Sequence, residues 1–258
     1  MVDAGAACQR PHSGATVRGW PYCRGMELVL IPGFWLDGSA WNEVAPTLRG
    51  AGHTVTAVTL PGMSAADDAT SVTLRDQVDA VAALVDSLAS AKRGPIVLVG
   101  HSGGGAVAHA VVDARPDSIA RVVYADSGPL ADGDCINDNL PVVDGVIPLP
   151  DWSVFDDDSL VDMTDDIRAA FRARAVPQPA LVANDKQQLS DPRRYDVPVT
   201  VITCEFRRAD MLEMMEGGHP YFAELAAIKH YDVVDLPTGH WPQFTKPKEL
   251  AAAILAAL

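Results

Sequence analysis

Short apolar runs alternate with helical segments along most of this chain of 258 residues. The runs are rich in β-branched residues and end near Gly or Pro, which is typical of buried strands in a parallel sheet. We predict strands at residues 27–32, 53–60, 95–100, 121–125, 197–204 and 230–236. Apolar residues at helical spacing predict helices at residues 38–50, 73–90, 103–114, 210–229 and 246–258. Such alternation indicates an α/β fold, with a mostly parallel sheet covered by helices on both faces.

The interval from Gly128 to Asp196 interrupts this alternation. It contains seven prolines and only one predicted helix, at residues 165–175. Because about 70 residues without structure are unusual inside a compact domain, we interpret the interval as an inserted cap over the carboxyl edge of the sheet. The predicted division is therefore a core of residues 26–129 and 196–258, with residues 130–195 (the cap segment) inserted.

Composition limits the partners and the location of the protein. The formal charge of −14 argues against nucleic acid and against an anionic membrane surface as partners. No apolar run is long enough to span a bilayer, and the four cysteines are scattered, as expected for reduced thiols in the cytoplasm. Residues 1–25 lack the apolar region of a secretory signal, so we expect a poorly ordered N-terminal extension.

The strand predicted at residues 95–100 runs directly into Gly100-His101-Ser102-Gly103-Gly104, which matches the pattern G-x-S-x-G. In this pattern a serine sits on a tight strand-to-helix turn. The residues two positions before and two positions after the serine are small, so that the strand and the helix can approach each other. The turn places the hydroxyl at a helix N-terminus, where partial positive charge favours a developing anion. The turn matches neither a dinucleotide-binding nor a P-loop fingerprint, which disfavours phosphate binding as its role. We therefore predict that Ser102 is a nucleophile.

A nucleophilic serine needs a general base, and His240 is the best placed of the seven histidines. It lies in Thr238-Gly239-His240-Trp241-Pro242, a turn-rich loop between the last predicted strand and the final helix. From there it can fold back over Ser102. The other histidines open strands, lie in helices or, like His101, neighbour the serine but point away.

The segments VLIPGFW, VGHSGGG and LPTGHWPQF together resemble the α/β-hydrolase superfamily, particularly its small esterases, lactonases and hydroxynitrile-lyase-like members. The resemblance covers residues 26–258. It implies the α/β-hydrolase fold and an oxyanion hole formed by two backbone amides. By the position of these donors in the fold, we assign them to Gly103 and to Phe34 in the loop after the first strand.

The acid that orients His240 has more than one candidate. In most members of the family it follows the penultimate strand, in a pattern similar to G-E-x-D, but here Arg207 stands at that position. Asp126 lies at the end of the strand after the nucleophile helix. An acid at this strand end resembles the arrangement in certain dehalogenases and lactonases. We prefer Asp126, and Asp210 and Glu205 remain alternatives.

These residues predict a serine hydrolase that cleaves a small, mostly apolar carboxylic ester or lactone through an acyl-enzyme, without a metal or cofactor. A homodimer is left open. We expect six apolar side chains to line the substrate pocket: Trp35, Trp152, Phe155, Met211, Met214 and Trp241. The alternatives are a lyase similar to hydroxynitrile lyases, using the same Ser and His, and a ligand sensor that kept the fold without its activity.

Overall fold

Six parallel strands form the central sheet in the computed structural model, which describes residues 25–64 and 67–258. The strands are β1 (Glu27–Ile31), β2 (Thr54–Ala57), β3 (Ile96–His101), β4 (Ile119–Ala125), β7 (Val199–Thr203) and β8 (Tyr231–Asp235), in the order β2-β1-β3-β4-β7-β8. A separate antiparallel pair joins β5 (Val146–Ile147) to β6 (Gln178–Pro179). The predicted extension at residues 1–25 lies outside the described residues except for Gly25.

Nine α-helices are described: α1 (Ala45–Gly50), α2 (Leu74–Ala91), α3 (Gly103–Ala114), α4 (Asp165–Arg174), α5 (Ala180–Asn184), α6 (Arg208–Glu216), α7 (Ala223–Ala227), α8 (Pro242–Thr245) and α9 (Pro247–Ala257). Short 3-10 turns occupy residues 38–41, 69–71, 152–154, 192–196 and 220–222. Among the described residues, no helix is both long and apolar enough to cross a bilayer.

The inner strands β1, β3 and β7 bury both of their faces, whereas the edge strand β8 is mostly exposed. Successive side chains of a strand point to opposite sides of the sheet. On one face, Val29 and Ile31 of β1 pack with α2 and α3. On the other face, Leu28 and Leu30 pack with α1 and α9. The predicted fold class, a largely parallel sheet between two layers of helices, is confirmed.

Two helices predicted as continuous are divided in the structure. Residues 38–50 form a 3-10 turn followed by α1, because Pro46, at the start of α1, has no N–H to continue the earlier turn. The helix predicted at residues 210–229 is replaced by α6, a 3-10 turn and α7. Gly218 adopts a positive φ of 71° after α6, and Pro220 begins the next turn, so the helical hydrogen bonds cannot run through.

The cap segment packs on loops that leave the carboxyl ends of the strands. The indole N–H of Trp35, after β1, donates to the carbonyl of Ile147 at 3.1 Å. After β8, the amide of Gly239 donates to Val161 O at 3.0 Å. Aromatic rings from the segment and from these loops contact one another, notably Trp152 with Trp241 at 5.7 Å between centroids. The boundaries at residues 129 and 196 stay a prediction.

Candidate active site

Ser102 lies between β3 and α3 in a backbone conformation that residues with a side chain rarely adopt, with φ 51° and ψ −129°. The surrounding glycines make this turn possible. A Cβ on Gly100 would lie 2.8 Å from Gly104 O, and a Cβ on Gly104 would lie 2.5 Å from Pro32 O. Strand, helix and the loop after β1 therefore meet at van der Waals contact around the serine, as the predicted motif requires.

The loop after β8 brings His240 to the serine, with its Nε2 2.8 Å from Ser102 Oγ. Two neighbours hold the backbone of this loop. The amide of His240 donates to Ser159 O at 2.9 Å, and the carbonyl of His240 accepts from His101 Nε2 at 2.7 Å. The imidazole is thus fixed from the cap segment on one side and from the nucleophile turn on the other.

Asp126 contacts the other ring nitrogen, with Oδ2 2.7 Å from His240 Nδ1. Because a carboxylate only accepts, the Nδ1 atom carries the hydrogen of this bond. The second oxygen of Asp126 accepts from the amides of Cys204 at 2.8 Å and Glu205 at 3.2 Å. Like Ser102, Asp126 has a positive φ, of 44°. Asp210 lies exposed in the first turn of α6 and does not join this contact.

A second carboxylate approaches the same nitrogen. Glu205 Oε1 lies 3.1 Å from His240 Nδ1, at the distance of an ion pair. Its side chain is four-fifths buried, with 20% exposed, and Asp126 is 7% exposed. Of the three acids that the sequence offered, Asp126 and Glu205 are therefore beside His240 and Asp210 is not.

These contacts control the charge of the two histidines. Burial favours neutral His240, but the contacts with Asp126 and Glu205 outweigh burial and raise the pKa of His240 to about 10. For Glu205, burial favours the protonated form, and the contacts with His240 and the Ser159 hydroxyl outweigh it and lower the pKa. Burial, together with the nearby His240, lowers the pKa of His101 to about 3, so His101 stays neutral.

The residues predicted to form the oxyanion hole lie next to each other. A Cβ on Gly103 would lie 2.7 Å from the Phe34 ring, and a Cβ on Gly33 would lie 2.7 Å from the Cβ of Ser102. Within the described residues, neither the Phe34 amide nor the Gly103 amide donates to a protein acceptor. Neither N–H group is therefore used by a hydrogen bond within the described protein.

A cavity of about 410 Å³ opens above Ser102, Asp126, Glu205 and His240. Its apolar wall comes from the segment after β4, from β7, from α6, and from the turn before α7 together with α7 itself: Leu130, Ile136, Val201, Met211, Phe222 and Leu225. The side chains of Phe206 and Tyr221 also line the cavity, and both are largely exposed.

Of the six predicted pocket residues, Met211 lines this cavity and the other five do not. The rings of Trp35, Trp152, Phe155 and Trp241 instead pack together, mostly edge to face, and Met214 packs half-buried on the core. This corrects our expectation for those five residues. Aromatic side chains bury a large apolar area each, and here they bury it at the contact between the cap segment and the core.

The group formed by Asp126, Glu205 and His240 is also the one cluster of His, Cys, Asp or Glu in the described chain with ligand atoms close enough to hold a metal, within 4.8 Å of one another. We interpret it as a hydrogen-bonded acid–imidazole group, because Nδ1 of His240 donates a hydrogen to Asp126 and its Nε2 faces Ser102.

Sequence reasoning missed two side chains that hold the site. His101 was expected to point away, yet it donates to the His240 carbonyl. Ser127 donates from Oγ to Ser102 O at 2.6 Å and so holds the backbone of the serine turn. The positions of both residues, next to Ser102 and Asp126 in the chain, were the available signal, but their partners are distant in sequence.

Comparison with known proteins gives a family match over most of the chain. The model of a family described as the alpha/beta hydrolase family matches residues 28–253. Lipase LipV of Mycobacterium tuberculosis is 34% identical over 125 residues, which are 48% of this chain and 45% of that protein. A carbendazim hydrolyzing esterase of a Nocardioides species is 27% identical, over 88% of this chain and 98% of that protein.

Among solved structures, an extracellular alpha/beta-hydrolase from a Paenibacillus species is similar, with a TM-score of 0.71 and 26% identity. The superposition covers 90% of this chain and 98% of that chain. That protein is described as sharing structural and functional homology with tobacco salicylic acid binding protein 2.

Proposed function

This chain belongs to the alpha/beta hydrolase family, and we propose that it is a serine hydrolase that cleaves small, mostly apolar carboxylic esters or lactones. The observation that carries the proposal is the continuous line of contacts from Ser102 Oγ through His240 to Asp126, at 2.8 Å and 2.7 Å. A hydroxyl, an imidazole and a carboxylate in this order are the groups that nucleophilic acyl transfer requires.

In the proposed reaction, Ser102 Oγ attacks the carbonyl carbon of the substrate while neutral His240 takes the hydroxyl proton at Nε2. The imidazolium that forms is stabilised by the carboxylate at Nδ1. His240 then gives the proton to the departing alkoxide, which leaves as an alcohol, and the acyl group stays on Ser102. A water molecule, deprotonated by His240, hydrolyses this ester and restores the serine.

The negative charge on the carbonyl oxygen is proposed to be held by the amides of Phe34 and Gly103. Removal of one such donor elsewhere costs about 3–4 kcal/mol of transition-state stabilisation, so a pair of free amides beside the nucleophile is a substantial part of catalysis. The N-terminus of α3 points at the same place and adds partial positive charge. No step of this route calls for a metal or an organic cofactor.

The substrate class is inferred from the cavity and from the names of relatives. A volume of about 410 Å³ with an apolar wall accommodates a small molecule rather than a polymer. The relatives are named as a lipase and as an esterase, which supports ester bonds as the target. The cap segment, which packs over the carboxyl edge, is proposed to limit substrate size.

The test is hydrolysis of p-nitrophenyl esters with acyl chains of two to twelve carbons, together with lactones of different ring sizes. We expect the wild-type chain to hydrolyse short esters, and Ser102→Ala and His240→Ala to lose at least about 1,000-fold of the rate. His230→Ala serves as a control, because this histidine is exposed just before β8, at the end of the sheet away from Ser102. Turnover that persists in Ser102→Ala would exclude the proposal.

A further inference from the structure

The Nδ1 atom of His240 faces two carboxylates, although a triad needs one. Asp126 comes from the end of β4, and Glu205 comes from the loop after β7, which is the next strand of the sheet. Because β4 and β7 are parallel neighbours, their carboxyl ends lie side by side. The loops that follow both strands therefore deliver an acid to the same imidazole.

The two acids also hold each other's loops. The amide of Glu205 donates to Asp126 Oδ1 at 3.2 Å, so the backbone of one acid anchors the side chain of the other. The carboxylate of Glu205 then lies 3.1 Å from His240 Nδ1, against 2.7 Å for Asp126. The geometry thus gives Asp126 the shorter contact and leaves Glu205 within reach of the same hydrogen.

We propose that Glu205 is a second acid of this site, a positioning residue that shares His240 Nδ1 with Asp126 and helps to stabilise the imidazolium. The inference rests on the proposed function, in which His240 is the general base. Glu205 itself does not contact the substrate carbonyl in the proposed reaction. Its effect is exerted through His240, and it can accept the Nδ1 hydrogen when Asp126 is replaced by a poorer acceptor.

Other charged or titratable groups around His240 do not provide this effect. His101, at the end of β3, is buried and neutral beside the His240 ring at 5.1 Å. Burial above all, together with the negative charges of Asp126 and Glu205, raises the pKa of Cys204, so this thiol stays uncharged. Tyr221 carries a phenol, which is uncharged at neutral pH. Lys246, at the start of α9, pairs with Asp162 at 3.5 Å instead. The negative charge at His240 therefore comes from Asp126 and Glu205.

The direct test is an NMR titration of the His240 ring nitrogens in the full chain, which needs no substrate. Loss of one adjacent negative charge lowers a histidine pKa by about one unit or more. We expect Glu205→Gln to lower the pKa of His240 by that amount. The matched control is Glu213→Gln, an exposed glutamate of α6, for which we expect no shift. A shift below about half a unit in Glu205→Gln would overturn the inference.

A kinetic test separates the roles of the two acids. If Glu205 takes over the Nδ1 hydrogen, the double variant Asp126→Asn, Glu205→Gln should have a kcat at least about tenfold below that of Asp126→Asn. Equal kcat values would contradict the inference, and a urea midpoint for each variant separates unfolding from loss of orientation. If the wild-type chain hydrolyses none of the esters or lactones, the proposed function fails, while the titration still decides the role of Glu205.

Discussion

At the scale of single residues, three residues around the site have a backbone with positive φ, which the neighbouring structure must maintain: Trp35, Ser102 and Asp126. Each conformation costs about 1–3 kcal/mol and persists where surrounding contacts over-determine it. Ser102 is fixed by bonds to its carbonyl from Gly105 N and Ser127 Oγ. Asp126 is fixed by two amides after β7. The strain therefore coincides with the groups that must be oriented.

The first prediction concerns the choice of acid. Asp126→Asn should lower kcat about 100-fold or more, because an amide at this position can hold the imidazole in the wrong tautomer. Asp210→Asn should stay within about twofold of wild type, since Asp210 is an exposed residue of α6. Steady-state hydrolysis of one short ester measures both. A larger loss in Asp210→Asn would move the acid to α6.

The second prediction concerns pH. The general base must be neutral to accept the serine proton, and the pKa of His240 is raised well above its ordinary value of 6.5. The rate constant kcat/KM should therefore rise with pH through neutrality, with the midpoint of its acid limb above 6.5. A profile of kcat/KM against pH measures this midpoint. A limb at or below 6.5 would show that the acids do not act on His240 as described.

At the scale of secondary-structure elements, close packing of β1, β3 and α3 positions the nucleophile. The third prediction tests it with Gly104→Ala, whose Cβ would meet the carbonyl oxygens of Pro32 at 2.5 Å and Ile31 at 2.7 Å. These are backbone atoms that cannot rotate away, so the variant should lose about 1–3 kcal/mol of unfolding free energy.

The control for Gly104 is Gly50→Ala at the end of α1, where an added Cβ meets nothing within 4 Å. Alanine there should leave stability unchanged or raise it by up to about 1 kcal/mol. Urea unfolding of the two variants gives the comparison. Equal stabilities would mean that the turn at Ser102 relaxes to accept a side chain.

The strands and most helices were predictable from sequence because their apolar residues recur with a clear period. The division of the helix predicted at residues 210–229 was not, since the stop depends on Gly218 and Pro220 rather than on periodicity. The pair Ser102 and His240 was also predictable, from turns at strand ends in the right order. The contact between His240 and Glu205 was left open, because it depends on how two loops from neighbouring strands pack side by side.

At the scale of the whole molecule, a buried network of charges joins α3 to the cap segment and to α7. Arg194 donates to Glu224 Oε1 at 2.7 Å and lies 3.3 Å from Asp113 of α3. Glu224 also accepts from His109 of α3 at 2.9 Å. Burial opposes ionisation of Glu224, but the contacts with His109 and Arg194 outweigh it and lower its pKa from 4.5 to about 2.

The fourth prediction follows from this network. Arg194→Met leaves Asp113 and Glu224 buried without their cation, which should cost about 3–5 kcal/mol of unfolding free energy. Arg193→Met is the control, because that side chain is 57% exposed and should matter much less. Urea unfolding at neutral pH measures both. Similar losses for the two arginines would contradict a special role for the buried one.

The pH dependence of stability has a sign set by the same network. Because the pKa of Glu224 is lower in the folded protein, its contribution is present above about 4.5 and is lost as pH falls towards about 2. Wild-type stability should fall over that interval, and Glu224→Gln should fall less steeply. Identical slopes in the two proteins would assign the acid sensitivity to other carboxylates.

Tertiary packing also explains why the substrate pocket was the least predictable part. In the sequence, an aromatic residue that lines a cavity looks the same as one that packs the cap segment against the core. Here Trp152 and Trp241 make an edge-to-face contact between cap segment and core, and the cavity is instead lined by other apolar residues, among them Ile136, Met211 and Leu225. Only the three-dimensional arrangement distinguishes these two uses.

The central claim is an acyl-enzyme on Ser102, and rapid quenching followed by intact-protein and peptide mass measurement tests it most directly. With a p-nitrophenyl ester in excess, we expect a burst of p-nitrophenol and a mass increase equal to the acyl group, located on Ser102. Ser102→Ala should show neither. Hydrolysis of the ester without an acyl adduct would contradict the claim. An adduct on a residue other than Ser102 during hydrolysis would contradict it as well.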